Sequence, residues 1–101
     1  IIEVAGTTAV VDGEVAFAGD AYKQTQCILG IIGDALQKLG AGMHDVVRTR
    51  IYLADVGDWQ AVGRAHGEMF GDIRPASTML AVGALIHPDM LVEIEVTAII
   101  D

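Results

Sequence analysis

The sequence is short of basic residues, cysteine and long apolar runs, and each shortage excludes a class of protein. Six Lys and Arg stand against fourteen Asp and Glu in 101 residues, a formal net charge of −8, which disfavours non-specific nucleic-acid binding. The single cysteine, Cys27, cannot form an internal disulfide. No apolar run reaches the roughly 20 residues of a membrane span, and no signal-peptide pattern is present. We therefore expect a soluble, cytoplasmic protein without a membrane partner.

Apolar residues, in contrast, are abundant at 52% of the chain, which excludes disorder and predicts one domain over residues 1–101. A chain this short buries only about two-thirds of its unfolded surface when it folds alone. The excess predicts self-association. The chain also begins at Ile1 without a methionine, within a strand-like pattern, so we expect a segment upstream of it.

The first half of the chain predicts two extended pieces and a helix. Residues 1–5 alternate weakly, and Asp12-Gly13 indicates a tight turn between short extended segments. Asp20 is a suitable N-cap for a helix whose apolar residues recur every three or four positions up to Leu39. Gly40 ends this helix.

The second half predicts strand, helix, strand, strand. Residues 46–54 alternate with a period of two, with Val47 on the face of Ile51 and Val46 on the opposite face. A helix capped by Asp55 or Asp58 follows and ends at Gly71, then strands at 77–82 and 91–100. The predicted apolar stripe of this helix consists of Trp59, Val62, His66, Met69 and Phe70.

This order of elements is typical of a two-layer α+β domain, with two helices packed on one face of a mixed β-sheet. The other face meets either water, with cross-strand ion pairs, or another copy of the chain. We favour an oligomer interface because of the apolar excess. The residues predicted on this open face include Arg48, Arg50, Tyr52, Glu93 and Glu95.

Several kinds of site are disfavoured by spacing. The three histidines, at 44, 66 and 87, are too far apart in sequence for a metal motif, so we expect no metal, and we expect no cofactor. Ser77, the only serine, lies in no nucleophile motif. Four glycines fall inside the predicted helices, where each costs about 1 kcal/mol relative to Ala, so we expect close backbone packing there. They are Gly30, Gly33, Gly63 and Gly67.

Glu93 and Glu95 are the best candidates for chemistry. Residues two apart on a strand point the same way, with Cα atoms roughly 6.5–7 Å apart. A carboxylate in such a place can orient a water molecule. The alternative is that each glutamate forms an ion pair with Arg48 or Arg50 across the sheet.

Four segments together resemble the RidA family, also called YjgF-like or L-PSP endoribonuclease-like. The similarity covers essentially the whole chain, although the N-terminal strand segment usual in that family is absent. The segments are Ile2-Glu3-Val4-Ala5-Gly6, residues 45–55, Arg74-Pro75-Ala76-Ser77-Thr78 and Leu91-Val92-Glu93-Ile94-Glu95.

The resemblance implies a chorismate-mutase-like fold, a homotrimer, and clefts between subunits that bind a small organic acid, imine or other small ligand. In deaminating members, water adds to an imine or enamine acid and ammonia leaves. Glu93 matches the glutamate that positions the water, and Gly6 with Thr7 matches the edge of the cleft. Family members bind the substrate carboxylate with an Arg directly after Pro-Ala, where this chain has Ser77.

The resemblance therefore leaves three functions open. The first is an imine or enamine deaminase with an altered substrate, in which Arg74, Ser77, Thr78 and Met79 contribute to binding and Glu93 to catalysis. The second is a non-catalytic trimeric ligand-binding or regulatory protein. The third, an endoribonuclease or translation inhibitor, is disfavoured by the net charge of −8 per chain.

Overall fold

Two helices cover one face of a four-stranded mixed sheet in the computed structural model, which describes residues 1–101. The strand order is β1-β6-β4-β5; β4 and β5 are parallel and the other neighbours antiparallel. Strands β2 and β3 form a separate hairpin. This confirms the predicted two-layer α+β fold. The elements are β1 (Ile2–Thr7), β2 (Val10–Val11), β3 (Glu14–Val15), α1 (Ala21–Lys38), β4 (Val46–Leu53), α2 (Trp59–Phe70), β5 (Ala76–Ala81) and β6 (Val92–Ala98).

The predicted ends of α1 are confirmed by its caps. The side chain of Asp20 accepts a hydrogen bond from the backbone N–H of Lys23 at 3.0 Å, and Gly40 follows the helix with a φ of +80°. Before α2, Asp55 accepts from the N–H of Gly57 at 2.9 Å and caps a short 3₁₀ turn, whereas Asp58 makes no capping bond. Neither helix is long and apolar enough to cross a membrane.

Strand β4 alternates as predicted from Arg48 onwards, but its first two residues do not. The pairing with β6 shifts register between Val46 and Arg48, which makes Val47 the extra residue of a β-bulge. Val46 is therefore buried and Val47 is 42% exposed, the reverse of the predicted orientation.

The core lies between α1, α2 and the inner face of the sheet. The stripe predicted for α2 is partly wrong: Ala65 is buried, whereas Trp59 and Met69 are 55% and 41% exposed. Trp59 begins the helix beside the edge strand β5, where no further element covers it. The fully buried large side chains include Ile28, Ile32, Leu36, Ile51, Leu53, Val62, Val92, Ile94 and Val96.

The helix glycines do not pack as expected. A Cβ atom at Gly30, Gly63 or Gly67 would have no non-local heavy atom within 4 Å, and one at Gly33 would lie 3.8 Å from the Met43 side chain. These glycines face open space or a flexible side chain, so close backbone contact does not explain them.

Candidate functional site

The two glutamates of β6 lie on the face of the sheet that the helices leave open, and they have different surroundings. Glu93 pairs with Tyr52 and Glu95 with Arg50 across β4 and β6. The Tyr52 hydroxyl donates to Glu95 Oε1 at 2.9 Å, and the same oxygen lies 3.8 Å from Arg50 Nε. The pKa of Tyr52 is raised, first by this hydrogen bond to a carboxylate and then by desolvation. Glu95 is thus the glutamate with the cross-strand ion pair.

Glu93, in contrast, has no hydrogen bond or ion pair within the chain, and its carboxylate lies against the backbone of Gly6. A Cβ atom at Gly6 would overlap Glu93 Oε2 and lie 3.0 Å from its Cδ. The approach is this close because β1 carries an extra residue between Val4, which pairs with Val96, and Thr7, which pairs with Ile94. The Thr7 hydroxyl donates to the carbonyl of Ala5 at 2.9 Å. The structure therefore brings Gly6 and Glu93 together, with Thr7 at the same bulge.

A cleft of about 350 Å³ opens in front of the two glutamates. Its other wall is the segment that follows β5, which the sequence indicated only as a connection. The cleft combines a carboxylate wall with an apolar wall and has the size of a small organic ligand. Its lining residues are Tyr52, Val82, Ala84, Leu85, Ile86, Glu93 and Glu95.

Gln24, which sequence reasoning did not assign to the site, fixes the chain just before Glu93. Its side chain is fully buried; Nε2 donates to the carbonyl of Asp89 at 2.8 Å, and Oε1 accepts from the N–H of Leu91 at 2.9 Å. These bonds attach residues 89–91, at the end of the segment that follows β5, to α1. A polar residue on the apolar stripe of a helix was the available signal, since buried polar groups need partners.

The predicted binding residues of β5 point to both faces of the sheet. Ser77 lies on the helix side, where its hydroxyl accepts from Thr49 Oγ1 at 2.8 Å. Thr78 lies on the open side, where Arg48 Nη2 donates to its hydroxyl at 3.0 Å. Met79 pairs with Ile51 and packs against the core.

Strand register separates these residues from Glu93 along the sheet as well. Leu80 is level with Tyr52 and hence with Glu93, whereas Ala76 is level with Arg48. Four strand residues span about 13 Å. Arg74 precedes Ala76 and so lies beyond the far end of that interval. A single chain therefore does not gather Glu93, Ser77 and Arg74 into one cleft.

His66 on α2 extends the polar contacts of Ser77. Its Nε2 lies 2.9 Å from Thr49 Oγ1, and its ring packs against Phe70 at 4.7 Å between centroids. Burial lowers the pKa of His66, so the imidazole is neutral at pH 7. His66 is thus a hydrogen-bonded, half-buried side chain. No three His, Cys, Asp or Glu side chains converge anywhere in the structure to hold a metal ion.

The chain is similar to known proteins in sequence and in fold. A family model described as "Endoribonuclease L-PSP" matches residues 1–100. An uncharacterized protein of Streptomyces coelicolor is 43% identical over 95 residues, which are 94% of this chain and 71% of the relative.

Two solved structures have the same fold. A Mycobacterium tuberculosis member of the YjgF/YER057c/UK114 family is 46% identical with a TM-score of 0.86, over 97% of this chain and 77% of that one. A Yersinia pestis protein of the Rid family is 31% identical with a TM-score of 0.85, over 98% and 77%. The chain belongs to the endoribonuclease L-PSP family, whose members are also named YjgF or Rid proteins.

Proposed function

We propose that the protein hydrolyses small imines or enamines to the corresponding carbonyl compound and ammonia. The observation that carries this proposal is the state of Glu93: a half-buried carboxylate without a partner, facing a cleft with an apolar wall. A carboxylate that is not committed to an ion pair is available as a proton acceptor for a bound water. Glu95, held by Tyr52 and Arg50, keeps the neighbouring part of the wall in place.

The reaction is a hydrolysis and needs no oxidant or reductant. Glu93 accepts a proton from water while the water oxygen bonds to the carbon of the protonated imine, which gives a carbinolamine; an enamine first takes up a proton at carbon to become the same protonated imine. Glu93 then returns this proton to the nitrogen, the carbon–nitrogen bond breaks and ammonia leaves. The hydroxyl proton passes to Glu93 and then to solvent, and the carbon becomes a carbonyl. One carboxylate is sufficient for these proton transfers.

We further propose that the complete site is formed by two copies of the chain in a homotrimer. The open face of the sheet carries Tyr52, Arg50 and Glu95, and the Arg48 Nε on the same face is buried without any hydrogen-bond partner. Leu80 on the edge strand is 44% exposed. In the proposed ring of identical subunits, the β5 edge of one copy lies beside the Glu93 cleft of the next. Ser77 of one copy then lies close to Glu93 of another, although the two residues are far apart within one chain. Light scattering should give the mass of three chains; a monomer at micromolar concentration would exclude this arrangement.

The activity is tested with two imines generated in situ by an oxidase, one from an amino acid and one from an amine without a carboxylate. Wild-type protein should raise the rate of ammonia release above that of buffer, and Glu93→Gln should return it to the buffer rate. Glu14→Gln, the same change at an exposed residue of β3, should keep the wild-type rate. A wild-type rate equal to buffer would instead favour a non-catalytic ligand-binding protein. Cleavage of RNA that Glu93→Gln abolishes would favour the ribonuclease.

The cytoplasmic location stays a prediction.

A further inference from the structure

A line of three side chains connects α2 to the exposed edge of the sheet, apart from Glu93. His66 Nε2 lies 2.9 Å from Thr49 Oγ1, and Thr49 Oγ1 lies 2.8 Å from Ser77 Oγ. Thr49 is fully buried in the middle of this line, whereas Ser77 is exposed on β5. The hydrogen bonds of an internal residue thus determine the orientation of a surface hydroxyl.

The direction of these bonds follows from the number of hydrogens. A hydroxyl has one hydrogen to donate, and Thr49 donates its hydrogen to Ser77. Thr49 must then accept from His66, so the ring carries its proton on Nε2. A protonated ring also donates from Nε2, so the direction is the same in both charge states.

Ser77 Oγ therefore receives a hydrogen bond from inside the protein and keeps its own hydrogen for a group outside. Ser77 is a neutral donor. Its chain neighbour Thr78 already accepts a hydrogen bond from the Arg48 guanidinium on the opposite face of the sheet. A single neutral donor suits a carbonyl oxygen, because it does not compensate the desolvation of a carboxylate. Compensating the desolvation of a carboxylate would need two parallel hydrogen bonds from a guanidinium.

We propose that Ser77 donates a hydrogen bond to an uncharged carbonyl of the ligand, so that the protein accepts amide- or ester-like imines in preference to imino acids. The inference rests on the proposed function, because it assumes that the β5 edge of one copy completes the Glu93 cleft of another. It identifies Ser77 as a specificity-determining residue and His66 and Thr49 as positioning residues.

The test compares the binding of pyruvamide and pyruvate, two probes of nearly the same shape that differ in charge. Calorimetric or NMR titration of the wild-type protein should show pyruvamide binding several-fold more tightly than pyruvate. Ser77→Ala should weaken pyruvamide by about fivefold, the effect of one lost hydrogen bond, and leave pyruvate unchanged. Ser77→Thr should retain the preference. Thr49→Val should reduce it, because Ser77 then loses its internal donor.

Thr97→Val, which removes a hydroxyl elsewhere on the sheet, serves as the control and should bind both probes as the wild type does. Tighter binding of pyruvate by the wild type, or an unchanged pyruvamide affinity in Ser77→Ala, would overturn the inference. Binding is measured without turnover, so the two proposals fail separately. A protein that binds pyruvamide through Ser77 but releases no ammonia refutes only the hydrolysis, and an active protein indifferent to Ser77 refutes only this inference.

Discussion

Replacing Gly6 with alanine should move the Glu93 carboxylate and change little else. The added Cβ would overlap Oε2 and lie 3.0 Å from Cδ, whereas non-bonded carbon atoms are most stable at about 3.5–4.0 Å. Glu93 has no hydrogen bond to hold it and is partly exposed. We therefore expect its side chain to move by about 1 Å while the strands stay in place. A displacement of that size at a reacting group can reduce a rate by about 100-fold.

We therefore expect Gly6→Ala to reduce kcat/KM for ammonia release by about 10- to 100-fold. Its free energy of unfolding in urea should change by less than about 1 kcal/mol, because the displaced carboxylate is partly exposed and makes no hydrogen bond that the shift would break. Gly30→Ala is the matched control: that position is exposed on α1 with no non-local atom within 4 Å, so activity should persist while stability rises by about 1 kcal/mol.

Unchanged activity in Gly6→Ala would refute the reasoning, since it would mean that the position of the Glu93 carboxylate does not matter. A loss of several kcal/mol of stability would also refute it, because the strain would then reside in the β1 bulge and not in the side chain.

Two further predictions concern the scaffold. Ile94→Ala, at a fully buried site in the central strand β6, should lower the free energy of unfolding by about 2–5 kcal/mol, whereas Ile86→Ala, which is 93% exposed, should change it by less than about 0.5 kcal/mol; equal effects in urea unfolding would contradict the assigned core. Burial lowers the pKa of His66 in the folded protein below its usual value of 6.5, so at acidic pH the unfolded chain binds a proton more readily than the folded chain. The stability that neutral His66 contributes is therefore present above pH 6.5 and is lost as the pH falls through the lowered pKa. The stability of the wild type relative to His66→Gln should therefore decline between pH 7 and pH 5, and a constant difference would show that burial does not perturb His66.

Local features of the fold were predictable because they depend on adjacent residues. Asp20 and Gly40 define the ends of α1 through bonds within one turn, and the alternation of β6 follows from the period of the strand. The failures have a different cause. The bulge at Val47 depends on pairing with a strand more than forty residues away, and the exposure of Trp59 depends on where the sheet ends.

The candidate site was only partly predictable for the same reason. Spacing alone treats Glu93 and Glu95 alike, and only the register with β4 assigns Glu95 to Tyr52 and Arg50. The proximity of Gly6 to Glu93 joins the two ends of the chain, and the family resemblance, not the pattern, predicted it. The opposite orientation of Ser77 and Thr78 follows from the pleat of β5 once its partner is known.

The central claim, that Glu93 of one copy acts with the β5 edge of another, is tested most directly by mixing two inactive variants. Glu93→Gln removes the base, and Ser77→Trp blocks the edge of β5; each alone should release ammonia at the buffer rate. When the two are unfolded together and refolded as mixed trimers, random assembly should restore about a quarter of the wild-type activity, because that fraction of clefts combines two intact halves. No recovery in verified mixed trimers, or full activity of Ser77→Trp alone, would contradict the account.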